Sequence, residues 1–214
     1  MTAYISHPPF TPQSLQARDL SCVRGEQTLF ANLGFTLSSG DCLHVKGENG
    51  VGKTSLLRLL VGLAQPEQGE VIWNAANIKN GLEDFHQGLC FLGHRDALKE
   101  DLSALENLMM YAALGKVDFS HKAALQCLSQ FGLRGREDLP VHYLSAGQKK
   151  RIVLARIAMR RAPLWVLDEP FNALDFNGVQ LLVELIEQHL SQGGITVFTG
   201  HQEISIAGLR ALQL

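Results

Sequence analysis

Asp41-Cys-Leu-His-Val-Lys46 alternates in character and runs straight into Gly47-Glu48-Asn49-Gly50-Val51-Gly52-Lys53-Thr54-Ser55. The spacing is G-x-x-x-x-G-K-[ST], set between a strand and a helix, which is the context a phosphate-binding loop requires. The glycines let successive backbone N–H groups turn inward around an anion without Cβ clashes. The helix start adds unpaired donors and a partial positive charge. Lys53 supplies an ammonium for the β- and γ-phosphates, and Thr54 a hydroxyl for Mg²⁺. The pattern arises by accident in about one chain in a hundred of this length. The helix is expected from near Gly52, carrying Leu56, Leu57, Leu59, Leu60 and Leu63, with Gly62 and Pro66 closing it.

Toward the N-terminus, Leu15 to Val23 and Gln27 to Leu37 read as strands around a turn at Arg24-Gly25-Glu26. Residues 1–14 read as a flexible tail rich in Pro, Ser and Thr. Toward the C-terminus, Glu70 to Trp73 and Leu89 to Leu92 read as strands. Residues 95–160 read as helical: Ser103-Ala-Leu-Glu106 has the form of a capping box, and a second helix over Ala123 to Phe131 stops at Gly132. After Pro163 the pattern is strand, helix, strand: Leu164 to Leu167, Val179 to Leu190, Ile195 to Phe198. The expected fold is α/β, with a mostly parallel core sheet, an N-terminal antiparallel flank and an inserted helical subdomain at 95–160. Residues 15–214 are expected to form a single domain.

Composition narrows the classes. The chain has 214 residues, 46% hydrophobic and 19% charged, with a formal net charge of −2. A chain this long buries roughly 70% of its unfolded surface and needs no staple. The apolar fraction is too high for disorder, and the charge balance by itself gives no reason to expect a nucleic-acid or anionic-membrane surface. No apolar run approaches the ~20 residues of a membrane span. The Pro-rich start is not a signal peptide. The four cysteines are scattered without CxxC spacing and read as reduced core thiols. His44, His86, His121, His142 and His189 read as core or surface histidines. Lys149-Lys150-Arg151 and Arg160-Arg161 read as solvated faces.

Pro163-Leu-Trp-Val-Leu-Asp168-Glu169-Pro170 is an apolar strand ending in paired acids. If that strand and the phosphate-loop strand end at one sheet edge, Asp168 faces Mg²⁺ and Glu169 the attacking water, as general base. Tyr143-Leu144-Ser145-Ala146-Gly147-Gln148-Lys149-Lys150-Arg151 is a second capping box on a bare backbone, and so another helix start suited to an anion.

Leu144-Ser-Ala-Gly-Gln148 resembles the signature of the ABC-type ATPases. Phe171-Asn-Ala173-Leu174-Asp175 is similar to the family's D-loop, and His201 to its switch histidine. The resemblance covers the chain from Leu15 onward. It implies an ATPase that uses ATP and Mg²⁺ and works as a head-to-tail homodimer. The phosphate loop, Asp168, Glu169 and His201 of one copy would meet Ser145, Ala146, Gly147 and Gln148 of the other across ATP. Asp175 would lie at the dimer interface. The sequence departs from the family pattern in three places. Ala146 replaces a common glycine. His94 stands where Gln is usual, as a candidate Mg²⁺ ligand. Arg24 stands where an aromatic usually stacks on adenine.

Leu92-Gly93-His94, Leu105-Glu106-Asn107-Leu108, Glu169-Pro-Phe171 and His201-Gln202, in so short a cassette, resemble the ATP-binding subunits of cytochrome c maturation systems. That likeness implies membrane-embedded partner subunits and a peripheral place on the cytoplasmic face of the bacterial inner membrane. It also implies a link to haem delivery or export and to release of a haem-loaded chaperone. The alternative is an ABC transporter for another cargo. The chain ends soon after His201, so no regulatory domain is expected to follow.

Overall fold

The two N-terminal strands, β1 (Ser14–Arg24) and β2 (Gln27–Ser38), pair antiparallel around the turn at Gly25. The structure, a computed structural model, describes residues 8–214. Residues 1–7, half of the expected tail, lie outside the described residues. Of the rest of that stretch, the Phe10 amide donates to Gln192 O at 2.8 Å and the Phe10 ring meets His189 edge-on.

The chain divides into two compact units. The first, a nucleotide-core unit, takes in 8–94, 162–170 and 186–214. Its antiparallel sheet has the order β2-β1-β4-β5, with β4 at Gln68–Trp73 and β5 at Ala76–Asn77. Its second sheet has the order β6-β7-β8-β3-β9 and every pair in it is parallel. The strands are β3 (Cys42–Lys46), β6 (Leu89–Leu92), β7 (Leu164–Leu167), β8 (Ile195–Thr199) and β9 (Leu209–Gln213). All of β7 and β8 is buried. A parallel sheet covered on both faces buries its strands end to end, as the apolar run of β7 and the largely apolar β8 allow. Helix α1 (Lys53–Leu60) turns Leu56, Leu57 and Leu60 into a core shared with Leu15, Leu37, Leu43, Val166 and Val197. β5, β9 and the short α2 (Leu82–Gln87) were not legible in the sequence.

The second, helical unit takes in 95–161 and 171–185. It holds α3 (Ala104–Leu114), α4 (His121–Gln130), α5 (Ala146–Met159) and the first part of α6 (Phe176–Ser191). It is therefore discontinuous, where one inserted stretch was expected. Both expected capping boxes form, at Ser103 with Glu106 and at Ser145 with Gln148. Asn107 is fully buried and satisfied: its amide donates to Lys99 O and Ser103 O and accepts from Lys99 N. That pins the entry to α3.

The basic run on α5 is not a solvated face. Lys149 pairs with Glu100, Lys150 with Asp96, and Arg151 with Asp175. Lys150 is buried, and burying an ammonium is costly unless a carboxylate meets it. Cys42, Cys90 and Cys127 are buried as thiols, and burial pushes the Cys42 and Cys127 thiols up to about 12. These are inert core thiols. Among the described residues no helix is long and apolar enough to cross a membrane.

Candidate nucleotide site

The parallel sheet explains why distant motifs meet. Ligands of open α/β sheets sit at the carboxyl ends of the strands. The loop after β3 is Gly47–Gly52, the residues after β7 are Asp168 and Glu169, and β8 ends at Thr199, just before Gly200 and His201. In the order β7-β8-β3 these ends are neighbours.

The loop itself is shaped by backbone that side chains disfavour. Gly47 has φ +147 and Gly52 φ +116. A Cβ on Gly47 would come within 2.8 Å of Val51 Cγ1, and one on Gly52 within 3.1 Å of Leu29 Cβ. The Lys53 ammonium is folded back, donating to Gly47 O at 2.8 Å and Glu48 O at 2.9 Å. The lysine is buried, held by loop carbonyls and paired with no carboxylate among the described residues. Its charge is thus available to an anion lying in the loop.

A bonded chain runs from the loop to the paired acids. Thr54 Oγ1 donates to Asp168 Oδ2 at 2.8 Å, and Thr199 Oγ1 donates to Asp168 Oδ1 at 2.7 Å. The Glu169 amide in turn donates to Thr199 Oγ1 at 2.8 Å. Asp168 is only 3% exposed, so both carboxylate oxygens are fixed by hydroxyls. Glu169 has φ +49, a left-handed conformation that costs a non-glycine residue on the order of 1 kcal/mol. Such strain clusters at functional sites. His201 Nε2 lies 3.0 Å from Asn49 Oδ1, which ties the residue after β8 to the phosphate loop.

His94 and Arg24 are exposed, and neither joins this bonded set among the described residues. His94 follows β6, at the same edge of the sheet. Arg24 closes β1, where its backbone pairs with Gln27. Thr199 was missed in the sequence. Its signal was a polar residue closing a wholly buried strand two positions before His201.

The helical unit carries the remaining candidates. Ser145 Oγ accepts from the Gln148 amide at 3.3 Å, while Gln148 Oε1 accepts from the Ser145 amide at 3.0 Å. Ser145, Gly147 and Gln148 line an open cleft of about 580 Å³ with Arg136, Arg151 and Asp175. Asp175 accepts both Arg151 at 3.2 Å and the Gly178 amide at 2.8 Å. The Gly178 amide, helped by Arg151, holds its carboxyl below the usual range.

A phosphate loop bonded through its hydroxyl to a strand-end aspartate is the core of a nucleotide-hydrolysing cassette. The chain belongs to the ABC transporter family, whose profile matches residues 30–172, and it is an ATP-binding and ATP-hydrolysing cassette. More particularly, it is similar to proteins named cytochrome c biogenesis ATP-binding export protein CcmA. It is 50% identical to that of Dechloromonas aromatica over 192 residues, covering 90% of this chain and 94% of the relative. With that of Pasteurella multocida it shares 46% identity over 200 residues, 94% of each chain. With that of Escherichia coli K12 it shares 47% over 193 residues, 90% of this chain and 91% of the relative. The fold matches an ABC transporter ATP-binding protein from Pyrococcus furiosus with a TM-score of 0.81 and 25% identity, over 94% of this chain and 97% of that one. It also matches the ATP-binding cassette MJ0796, solved as a dimer in a post-hydrolysis state with ADP and Pi. There the TM-score is 0.73 and the identity 24%, over 88% of each chain.

Proposed function

We propose that this chain is the ATP-hydrolysing subunit of a membrane complex for cytochrome c maturation, where its ATP cycle is coupled to haem delivery or export and to release of a haem-loaded chaperone. The observation that carries the ATPase reading is the Thr54–Asp168–Thr199–Glu169 chain of hydrogen bonds beside the phosphate loop. The likeness to CcmA proteins carries the cellular role. The chain sits peripherally on the cytoplasmic face of the inner membrane, against membrane-embedded partners, and contacts no nucleic acid.

ATP phosphates lie along Gly47–Ser55, with Lys53 as counter-charge. The donor set fits Mg²⁺: a hydroxyl and a buried carboxylate are hard oxygen ligands. Thr54 and Asp168 would hold it, with His94 as the further candidate, and when bound it neutralises phosphate charge. Glu169 orients and deprotonates the attacking water. Its amide is tied to Thr199, so the strained backbone fixes where the carboxylate starts. His201 contacts the γ-phosphate region, and Arg24 stacks its guanidinium plane on adenine. Ser145, Ala146, Gly147 and Gln148 of a second copy close over the same ATP, with Asp175 at the dimer interface.

The test is capture of the tagged Glu169→Gln variant from membranes in mild detergent. Subunits are identified by mass spectrometry and haem by absorbance. Cytochrome c maturation subunits support the proposal. A different permease leaves the ATPase and overturns the haem role; an exclusively soluble partner overturns the transporter reading.

A further inference from the structure

We propose that His44 is a positioning residue, whose ring N–H holds the Gly200 carbonyl and thereby sets His201 over the phosphate loop. The inference rests on the reading of His201 given above. His44 lies on β3, is 1% exposed, and takes no part in the chemistry already described. Its Nε2 is 3.0 Å from Gly200 O. A carbonyl only accepts, so Nε2 carries the proton.

The neutral ring then presents Nδ1 as an acceptor, and that atom is buried with no hydrogen-bond partner among the described residues. An unmet buried polar atom is destabilising and calls for a reason. Stability does not supply one, because an apolar side chain of similar shape would pack there without that cost. The ring is stacked on Phe198, with centroids 4.5 Å apart and planes at 21°, so its Nε2–H has one direction. Burial, aided by Lys46 and His201, holds the ring below the ordinary histidine range and keeps it neutral.

The three residues Thr199, Gly200 and His201 are thus pinned in succession. Thr199 Oγ1 bonds Asp168, Gly200 O bonds His44, and His201 Nε2 meets Asn49. The middle pin is the one that comes from β3, the strand that leads into the phosphate loop. It couples the aim of His201 to the strand that carries the loop, so the two keep one spacing. A misplacement of about 1 Å at a catalytic contact is enough to cost on the order of a hundredfold in rate.

The test uses the full chain as His44→Phe, His44→Leu, His44→Gln and His201→Ala. Phenylalanine keeps the stack and removes the donor; glutamine restores an N–H at the same reach. The readouts are ATP turnover against ATP concentration, Tm, and the ¹⁵N-histidine signal of His201 with and without ATP. His44→Phe is expected to lower kcat about tenfold to a hundredfold with KM for ATP within about twofold. Its Tm should not fall, the ATP-induced shift of His201 should shrink, and His44→Gln should restore both. Unchanged turnover and an unchanged His201 signal in His44→Phe overturn the proposal. So does a fall in Tm that glutamine does not rescue, or failure of both His44→Phe and His44→Leu to fold, since His44 is then a core support. If His201→Ala keeps full turnover, the role given to His201 fails, and the NMR signal alone decides whether His44 positions it.

Discussion

The phosphate loop and the signature helix use the same device in opposite ways. Each is a helix start that offers backbone donors to an anion. At the loop, the lysine and the strand-end aspartate are already engaged inside the unit: Lys53 by two carbonyls, and Asp168 by two hydroxyls. At the signature, Ser145 is exposed, its capping box is closed on itself, and the cleft in front is open. The first is a site assembled by the fold. The second is an exposed helix start facing an open cleft, which the proposal above gives to ATP held by another copy. The two should therefore fail differently, one by losing binding and the other by losing turnover alone.

The largest effect separates them outright. Lys53→Ala removes the buried counter-charge and is expected to lower ATP turnover by at least about a hundredfold, with nucleotide binding weakened. Isothermal calorimetry with ATP and a phosphate-release assay check it. Full turnover in that variant breaks the comparison, because the loop would then not be the phosphate site.

Acid should strike the nucleotide-core unit first. His189 is buried there, stacked flat on Trp165 at 3.9 Å, and burial holds its pKa at about 4 against an ordinary 6.5. Above pH 6.5 neither state binds the proton and stability does not change on this account. Between 6.5 and about 4 the unfolded chain binds more protons, so stability falls as pH falls. The loss levels off at about 3 kcal/mol near pH 4. His44, shifted the same way, adds to it. Hydrogen exchange at pH 7 and pH 5 should show the core strands losing protection more than α3 and α5; the reverse order would refute this.

Thr199→Val is the next step down. It keeps the shape of a fully buried side chain while leaving Asp168 Oδ1 without its hydroxyl donor and the Glu169 amide without its acceptor. The expected cost is about 1–3 kcal/mol of stability, with a fall in kcat because Glu169 loses its anchor. Chemical denaturation and steady-state kinetics check it. A variant as stable and as active as the parent would show that the paired acids need no such support.

How much of this was legible follows from range. The phosphate loop, both capping boxes and the strand-end acids were readable because each is a local pattern with a local physical cause. Asp168 and Lys53 were joined by reasoning about sheet edges, and the parallel order β7-β8-β3 provides the neighbours that reasoning needed. Thr199 and His44 were not found, since their partners lie far along the chain and only the sheet brings them close. The reading of Lys149-Lys150-Arg151 as a solvated face failed for the same reason. Asp96, Glu100 and Asp175 are distant in sequence, and nothing in a run of basic residues names them. β9 was missed because half-exposed, mixed residues such as Leu209–Gln213 carry no clear period.

Ser145→Ala gives the smallest stability change and the sharpest contrast. Losing an N-cap hydroxyl costs about 1 kcal/mol. In Ser145 that hydroxyl accepts the Gln148 amide at 3.3 Å, a long bond on an exposed helix end, so the change in Tm should be small. ATP binding by the single chain should not change, because the phosphate loop and its partners all lie in the other unit. Turnover should nevertheless fall, since the hydroxyl is then missing where the second copy's ATP would meet it. Calorimetry and phosphate release, run on the same preparation as Lys53→Ala, read the two halves side by side. If Ser145→Ala weakens ATP binding as Lys53→Ala does, the signature is not an outward surface, and the division between an assembled site and a waiting one fails.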